Sequence, residues 1–337
     1  MMNTLREAYG SVVSKIGSPT KGDNLLNRKI LCVGLCNLDI VQVVKSFPLE
    51  DSDQRCLESR WRRGGNASNN CTVLSQLGAS CEYLGTLSKE SHLNFLLEDF
   101  NKYNISMDHC VYYNEVEAPL STVIICLETG SRTILHSNPN LPELKLEEFK
   151  KVNLKNYCWV HFEGRNVSEV NLMMEYVEHW NSTQSKDELN APIKISLDLE
   201  KPRTELLDLL PYADVVFIGK DFAKSRKCNN MSETLKTVAK DTKPGATIIC
   251  AWGDRGAMAR APDGSTVQSP AFPPWQVVDT LGAGDTFCAT VIFSLSVGRS
   301  LQDSISLGCR VAGEKVGQVG LGDIAASYRR ISAKMPS

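Results

Sequence analysis

Apolar and polar positions along the chain predict a parallel β-sheet covered by helices. Short, near-continuous apolar runs recur, which is typical of strands buried on both faces. The runs lie at 29–35, 80–87, 157–164, 193–200, 214–220 and 245–253. Between them, residues 67–77, 89–103 and 168–180 place apolar side chains on one helical face. The alternation of strands and helices indicates an α/β fold with a mostly parallel central sheet.

Two regions depart from this pattern and predict a second, smaller sheet. Residues 40–63 and 118–138 contain strand-like segments with one polar face and no helix between them. Such pairs are typical of antiparallel strands that expose one side to water. We therefore expect a small antiparallel β-sheet attached to the main one.

Composition and charge exclude several classes of partner. Hydrophobic residues make up 42% of the 337 positions, charged residues 23%, and the formal net charge is -2 at pH 7. This balance shows no bias toward nucleic acid or membrane. No apolar run approaches the roughly 20 residues of a membrane-spanning helix, and the N-terminus lacks the apolar segment of a secretory signal. We expect a soluble, cytoplasmic protein that binds neither nucleic acid nor membrane.

The polar residues 1–28 and the cysteines add two further expectations. We interpret residues 1–28 as a flexible tail; a mitochondrial presequence is the weaker interpretation, because Glu7 interrupts an acid-poor pattern. The twelve cysteines have no paired CxxC spacing and no metal-ligand spacing. We expect them to be reduced residues of the core, and we expect no metal site built from protein ligands.

The segment "LGAGDTF" at 281–287 is the first candidate for chemistry. Gly282 and Gly284 free the backbone to turn, and the apolar positions that follow predict a helix up to Gly298. The N-terminus of a helix favours an anion such as phosphate. Asp285 beside such a site fits a general base that accepts a proton during phosphoryl transfer. A plain turn with Asp285 as a helix cap explains the motif equally well when it is taken alone.

A second candidate is "RRGGNASNN" at 62–70. The spacing of three places the amides of Asn66 and Asn69 on one face of a helix start, and Gly65 lets a ligand approach the backbone. Asp39, just after the first predicted strand, adds an acceptor for two hydroxyls, so the group suits a sugar. Taken separately, caps, turns and a solvated strand end explain these residues better than a sugar site does.

Together, the two segments resemble the two signatures of the PfkB carbohydrate kinases, which have the ribokinase-like fold. Further segments, "HFEGRN", "EKPR", "ICAWG", "AFPP" and "LGCRVAG", are similar to those of the fructokinases in that family, which phosphorylate the C1 hydroxyl. The resemblance spans about residues 29 to 324.

The resemblance implies a domain organisation. A three-layer α/β/α kinase domain would occupy residues 29–328, between the N-terminal tail and a C-terminal tail at 329–337. The strands at about 40–63 and 118–138 would form a β lid over the sugar. By the same resemblance, the lid would interlock with its twin in a homodimer.

The resemblance also implies catalytic roles. Asp285 would be the catalytic base, and Gly282, Ala283 and Gly284 would form the anion hole. Arg132 would reach the transferring phosphate, where a guanidinium neutralises developing charge. Without the resemblance, a solvated charge on an edge strand is the better interpretation of Arg132.

The remaining site residues implied by the resemblance form two groups. The sugar-binding positions are Asp39, Gly65, Asn66, Asn69 and Asp285, with Asp51 acting in trans on the sugar of the other subunit. The nucleotide-binding positions are Arg132, Gly253, Asp254, Arg255, Gly256, Phe272, Pro273, Pro274, Gly282, Ala283, Gly284 and Cys309.

The implied reaction transfers the γ-phosphoryl of ATP to the C1 hydroxyl of D-fructose, giving fructose 1-phosphate and ADP. Many ribokinase-like enzymes carry an N-x-x-E motif where this chain has residues 219–223, "GKDFA". We therefore expect Mg²⁺ to arrive with ATP and to be held by phosphate oxygens and waters. A monovalent cation such as K⁺ is a further cofactor that the resemblance suggests.

Three alternatives to this reaction differ in substrate or in protein class. The substrate could be that of another PfkB kinase, such as ribose, adenosine or 2-keto-3-deoxygluconate. A catalytically silent, sugar-binding regulator would be expected to have lost Asp285 or the glycine motif, and both are intact. A dehydrogenase is excluded because the glycines lack the G-x-G-x-x-G spacing and lie near the C-terminus.

Overall fold

The structure, a computed structural model, describes residues 28–90, 92–184 and 191–333. The predicted tail at 1–28 lies outside the described residues except for Arg28, and the C-terminal tail is described only as far as residue 333. In the described part of the chain, no helix is both long enough and apolar enough to cross a membrane.

The described residues form fourteen strands and nine α-helices. The strands are β1 (Lys29–Val33), β2 (Asn37–Val44), β3 (Glu58–Gly64), β4 (Cys81–Leu84), β5 (Thr86–Ser88), β6 (Val111–Tyr113), β7 (Leu120–Cys126), β8 (Ser131–Ser137), β9 (Tyr157–Glu163), β10 (Lys194–Leu199), β11 (Val215–Ile218), β12 (Thr247–Ala251), β13 (Ala257–Arg260) and β14 (Thr266–Ser269). The helices are α1 (Asn66–Leu77), α2 (Leu93–Lys102), α3 (Leu146–Phe149), α4 (Val167–Thr183), α5 (Lys220–Ser225), α6 (Met231–Val238), α7 (Ala283–Ser296), α8 (Leu301–Val316) and α9 (Ile324–Ser332).

Eight strands form the main sheet, in the order β14-β13-β12-β11-β10-β9-β1-β4. The ladders from β4 to β12 are parallel, and β13 and β14 extend the sheet in antiparallel fashion. Successive side chains of β1 enter opposite cores: Ile30 packs toward α1, α2, α7, α8 and α9, whereas Leu31 packs toward α3 to α6. The predicted three-layer α/β fold is confirmed, because strands buried on both faces require helices on both sides.

A second sheet of four strands, in the order β3-β2-β7-β8, forms the predicted lid. Its outer ladders, β2–β3 and β7–β8, are antiparallel as predicted, whereas the central β2–β7 ladder is parallel. The lid buries Val41, Val43, Val123 and Ile125 on one face, and Leu281 of the main body packs against them. The residue just before the glycine motif therefore holds the lid against the body.

The predicted helices are confirmed within a few residues. The helix predicted at 67–77 is α1, which ends at Gly78 in the left-handed conformation (φ 99). The helix after the glycine motif is α7, which is apolar on nearly all sides and lies buried between α1 and α8. Gly308 of α8 allows close packing, since a Cβ there would lie 2.8 Å from a methyl group of Val291.

All twelve cysteines are free, and ten of them are buried. The prediction of reduced core cysteines is confirmed for those ten. It is wrong for Cys56, which is exposed in the loop between β2 and β3, and Cys110 is half-buried. Loop position, and not residue type, decides the exposure of Cys56.

Candidate active site

Asp285 lies in the first turn of α7 and is held by two amides of α1. Its Oδ2 accepts a 2.7 Å hydrogen bond from Asn69 Nδ2, and its main-chain carbonyl accepts one of 3.0 Å from Asn70 Nδ2. The residue is only 9% exposed. Packing of α1 on α7 thus fixes the carboxylate in place.

The surroundings raise the pKa of Asp285 to about 7. Burial is the largest cause, and the carboxylates of Glu200 and Glu163 raise the pKa further. The Asn69 hydrogen bond and the Arg62 guanidinium lower it in part. A carboxyl group with a pKa near 7 is a stronger base than a solvated aspartate, and it can accept a proton at neutral pH.

The glycine motif leaves open space in front of α7. Gly282 is left-handed (φ 81), and its carbonyl accepts a 2.9 Å bond from the Thr286 N–H. A Cβ on Gly282 would lie no nearer than 3.4 Å to its closest neighbour, and one on Gly284 would meet no other part of the described chain within 4 Å. The Ala283 N–H donates a 3.3 Å hydrogen bond to the Thr280 carbonyl, whereas the space beside Gly282 and Gly284 is open. The anion hole of Gly282, Ala283 and Gly284 stays a prediction.

The start of α1 carries the predicted sugar-binding asparagines. Gly65 has a positive φ of 95°, and a Cβ there would lie 2.2 Å from the carbonyl oxygen of Leu35, so only glycine fits. Asn66 Nδ2 donates a 2.8 Å bond to Glu200 Oε2, while Asn69 holds Asp285. The structure brings both asparagines to the same site as the predicted base.

Asp39 lies within β2, and not at the end of the preceding strand as predicted. Its carboxylate is buried and lies over Gly64, where a Cβ would approach it to 2.4 Å. Oδ1 accepts a 2.7 Å bond from Asn37 Nδ2. Burial raises the pKa of Asp39, although the Arg62 guanidinium and the Asn37 bond oppose the shift.

A network of ion pairs joins the lid to the body, and sequence reasoning assigned it no role. Arg62 lies opposite Asp39 in the β2–β3 ladder, with 3.8 Å between its Nη2 and Asp39 Oδ2. Its Nη1 donates a 3.4 Å bond to Asp279 Oδ2. Asp279 also pairs with the fully buried Lys315 of α8, whose Nζ lies 3.2 Å from Oδ2 and donates a 2.7 Å bond to the Asp279 carbonyl. The pairing of β2 with β3 was the signal that could have placed Arg62 beside Asp39.

Arg132 reaches from β8 to the segment that precedes the glycine motif. Its Nη1 donates a 2.8 Å hydrogen bond to Thr280 Oγ1, and the side chain is exposed. Thr280 is two residues before Gly282 in the sequence. The structure therefore places Arg132 close to the predicted anion hole, on its exposed side.

Some of the predicted nucleotide-binding residues lie in or beside one segment, residues 270–274. A Cβ on Gly256 would lie 2.1 Å from the Ser269 carbonyl oxygen, so the turn formed by Gly253, Asp254 and Arg255 runs beside that segment. A cavity of about 720 Å³ is lined by Phe272, Pro273 and Pro274 and by one side of α8. Cys309 lies buried on α8, and neither it nor residues 253–256 line the cavity.

Asp51 is exposed in the loop between β2 and β3, with a left-handed backbone (φ 59). The structure leaves it outside the cluster that the described residues of this chain form around Asp285.

Three acidic residues that sequence reasoning missed complete the site. Glu163, Asp198 and Glu200 lie at the carboxyl ends of β9 and β10. Burial raises the pKa of Asp198 well above its ordinary value, and Glu200 and Asp285 add to the shift. Two signals could have found them: the segments "HFEGRN" and "EKPR" contain Glu163 and Glu200, and ligands of open α/β sheets bind at the carboxyl ends of the strands.

This acidic group has the chemistry for a hydrated divalent cation. Within residues 28–90, 92–184 and 191–333, no cluster of three or more His, Cys, Asp or Glu side chains could hold a metal ion directly. Carboxylates attract Mg²⁺ through its water ligands, and Mg²⁺ usually keeps several waters when it accompanies phosphates. Glu163, Asp198 and Glu200 therefore fit a Mg²⁺ ion bound to a nucleotide.

Comparison with known proteins agrees with this architecture. Residues 27–326 match the profile of the pfkB family carbohydrate kinases. Mouse ketohexokinase is 46% identical over 297 residues, which cover 88% of this chain and 99% of that protein. Adenosine kinase 2 of Arabidopsis thaliana is 22% identical over 312 residues, covering 86% of this chain and 85% of that protein.

Solved structures share the fold. Arabidopsis thaliana ribokinase, solved with ribose and ATP, superposes with a TM-score of 0.73 at 17% identity, covering 92% of this chain and 99% of that one. Ribokinase from Cryptococcus neoformans, solved with ADP, has a TM-score of 0.69 at 16% identity, covering 91% of this chain and 100% of that one. With the match over residues 27–326, these comparisons show that the chain belongs to the PfkB family of carbohydrate kinases and is an ATP-dependent sugar kinase.

Proposed function

We propose that this kinase transfers the γ-phosphoryl group of ATP to the C1 hydroxyl of D-fructose. The observation that carries the proposal is Asp285, a buried carboxyl with a pKa of about 7 at the N-terminus of α7. The similarity to mouse ketohexokinase supports a ketohexose as the acceptor.

In the proposed mechanism, the C1 hydroxyl of fructose attacks the γ-phosphorus in line with the bond to ADP. Asp285 accepts the hydroxyl proton as the new P–O bond forms, and ADP leaves with the electron pair of the broken bond. The N–H groups of Gly282, Ala283 and Gly284 donate to the phosphoryl oxygens, where the helix dipole adds favourable potential.

The sugar would lie between the start of α1 and the lid. Asp39 would accept hydrogen bonds from sugar hydroxyls, and Asn66 and Asn69 would offer both donors and acceptors. Support comes from their geometry, since Asn69 already bonds Asp285 and Asn66 bonds the neighbouring Glu200. Gly65 would contact the sugar through its backbone.

ATP would lie between the glycine motif and the cavity beside Phe272, Pro273 and Pro274. The size of that cavity, about 720 Å³, suits a nucleotide base and ribose. The turn from Gly253 to Gly256 and Cys309 of α8 flank the same segment, and Arg132 would contact the phosphates after releasing Thr280.

Cations would complete the charge balance. Mg²⁺ would enter with ATP, with its waters facing Glu163, Asp198 and Glu200, and would neutralise phosphate charge when bound. A monovalent cation such as K⁺ remains a prediction of the family resemblance. Two cations of the chain, Lys315 and Arg62, already pair with Asp279, three residues before Gly282.

We also propose a homodimer formed through the lid. The lid exposes several large apolar side chains, which is unusual unless a partner covers them. They are Phe47, Leu49, Leu57, Trp61, Leu127, Ile134 and Leu135. In the dimer, Asp51 of each subunit would reach the sugar of the other, and closure would exclude water as a competing acceptor. The composition supports a cytoplasmic location.

A steady-state assay with fructose and ATP tests the proposed reaction. ADP release is expected, and NMR of the product should locate the phosphate on C1. Ribose, adenosine and 2-keto-3-deoxygluconate serve as competing acceptors. If one of these acceptors is turned over faster than fructose, that acceptor is the substrate. Sugar binding without ADP release would indicate a silent regulator.

Mixing two inactive variants tests the role of Asp51 in trans. Asp51→Ala and Asp285→Asn should each lack activity alone. After subunit exchange, a mixed dimer holds one complete site, so about a quarter of the wild-type activity is expected at equal proportions. If mass spectrometry confirms subunit exchange and no activity is recovered, Asp51 does not act on the sugar of the other subunit.

A further inference from the structure

Two adjacent arginines of β3 differ in how their donors are used. Arg63 donates through Nε to Asp99 at 2.8 Å, through Nη1 to the Ser68 carbonyl at 2.9 Å and through Nη2 to Thr72 at 2.5 Å. Arg62 Nε and Nη2 are buried and have no hydrogen-bond partner among the described residues. Arg63 therefore uses its donors in hydrogen bonds within the fold, whereas Arg62 has two donors that make no hydrogen bond to the described residues.

The unused donors of Arg62 lie at the point where the reacting groups meet. Nη2 is 3.8 Å from Asp39 Oδ2 on the sugar side. A Cβ built on Gly282 would lie 3.7 Å from Arg62 Nη2 and 3.8 Å from Asp285 Oδ2. The guanidinium, the anion hole and the predicted base thus face one small space.

The guanidinium is held in this position by a rigid partner. Asp279 accepts the 3.4 Å bond from Arg62 Nη1. Its carboxylate is fixed in turn by the N–H groups of Leu281 and Gly320, each at 2.9 Å, and by Lys315. Asp39 and Asp279 together balance the charges of Arg62 and Lys315, but neither carboxylate accepts a hydrogen bond from Arg62 Nη2 or Nε, so these two donors keep their hydrogen-bonding capacity.

Buried, unpaired donors are costly, so they indicate a ligand that is not part of the chain. A sugar hydroxyl could accept one bond. A phosphoryl group accepts several bonds from a planar guanidinium and also needs its charge, and Arg is the side chain best suited to that task. The position between Asp39 and Gly282 is where the acceptor hydroxyl and the γ-phosphoryl group would meet.

We propose that Arg62 is a further catalytic residue, whose Nη2 and Nε donate to the phosphoryl group as it passes from ATP to the sugar. This inference rests on the proposed function, which supplies the phosphoryl group. Arg132 would approach the same group from the exposed edge of the lid. Arg62 would approach it from the buried side.

Arg62 has a second effect, on the protonation of the base. The charged or titratable groups that face Asp285 are Glu163 at the end of β9, Asp198 and Glu200 on and after β10, Cys288 on α7, and Arg62 on β3. Glu163 and Glu200 raise the pKa of Asp285, and Asp285 raises the pKa of Asp198. Arg62 is the cation that lowers the pKa of Asp285. Removal of Arg62 should shift the acid limb of kcat/KM to higher pH.

The test compares Arg62→Gln and Arg62→Lys with Arg60→Gln as the matched control. Arg60 lies two residues away on the same strand and is paired with Glu58 at 2.6 Å. We expect Arg62→Gln to lower kcat by about 10²-fold, the usual loss for one transition-state donor, with the KM for fructose nearly unchanged. Arg62→Lys should lose less, and Arg60→Gln should behave as wild type with an unshifted pH profile.

A binding measurement separates this inference from the proposed function. Calorimetry with MgADP and aluminium fluoride, which mimics the transferring phosphoryl group, should show weaker binding to Arg62→Gln than to wild type by about the same factor. If wild type does not turn over fructose, the proposed function fails, yet this comparison still decides the role of Arg62. Equal binding together with an unchanged kcat and acid limb would overturn the inference, as would a change in KM and melting temperature alone.

Discussion

The two glycine-flanked helix starts, at α1 and α7, are built alike but serve different purposes. Each has a glycine with positive φ before the first helical residue, Gly65 at φ 95 and Gly282 at φ 81. At Gly65 a Cβ would collide with the backbone of Leu35 at 2.2 Å. At Gly282 the nearest neighbour would be a leucine methyl group at 3.4 Å, with Arg62 and Asp285 beyond it.

The difference shows that glycine at a helix start has two separate uses. At the start of α1, the backbone of Leu35 fills the space beside Gly65, and the side chains of Asn66 and Asn69 reach Glu200 and Asp285. The start of α7 has open space beside Gly282 and Gly284, where we propose that an anion binds. Local sequence does not distinguish the two, since each has two glycines among the three residues before a polar residue. The following predictions test that contrast.

The largest effect is expected from Asp285→Asn. Loss of the proposed base should lower kcat by about 10²- to 10⁴-fold, while fructose binding is nearly retained because the amide can still accept from Asn69. Asp221→Asn is the matched control, since Asp221 also lies in the first turn of a helix but is exposed. Turnover and fructose affinity are measured separately. Normal turnover of Asp285→Asn would show that the start of α7 does not carry the catalytic base.

The next effect concerns stability and separates the two glycines. Gly65→Ala should lower the free energy of unfolding by about 3 kcal/mol or more, because backbone strain adds to a collision with a carbonyl oxygen. Gly282→Ala should cost only the strain, about 1–2 kcal/mol. Urea denaturation of both variants measures the difference. Equal losses would show that the closed and open starts do not differ in packing.

A smaller effect is expected from pH. The base must be ionised, and its pKa is raised to about 7, so kcat/KM should fall about tenfold per pH unit below that value. Asn69→Ala should move this limb to higher pH, because the Asn69 bond lowers the pKa. The pH dependence of kcat/KM for both proteins checks this. An acid limb near the ordinary aspartate pKa would contradict the assignment of Asp285.

The smallest effect has opposite signs for stability and activity. Gly284→Ala lies inside α7 with open space around it, so the alanine should raise stability by up to about 1 kcal/mol. Its methyl group would protrude where the phosphate is proposed to bind, so the KM for ATP should rise. Melting temperature and ATP kinetics measure the two effects. A higher melting temperature with no rise in the KM for ATP would place the anion elsewhere.

Most of the fold could be predicted because its signals are local. The apolar runs matched β1, β4 and β9 to β12, and the periodic segments matched α1 and α4. The parallel ladder between β2 and β7 could not be predicted in this way. The two strands belong to separate hairpins, and only long-range packing over Leu281 decides how the hairpins join.

Site residues could be predicted from the sequence only where they belong to a recognisable motif. Asn69 and Asp285 lie 216 positions apart in the chain, and the structure joins them by a 2.7 Å bond. Glu163 lies in the segment "HFEGRN" but received no role there, and Asp198 lies in no such segment. The relevance of both depends on neighbouring strands ending at the same edge of the sheet. Arg62 and Arg63 are identical letters in sequence, yet one is fully bonded and the other is not.

The sequence by itself determined the α/β class, the helix starts at Asn66 and Ala283, and the glycines that those starts require. These follow from local periodicity and from the backbone freedom of glycine. Only the tertiary structure decided which helix start stays open, which carboxyl is buried enough to reach a pKa near 7, and which arginine keeps unpaired donors. Burial, electrostatic potential and collisions depend on atoms from distant segments, so no single stretch of the chain contains them.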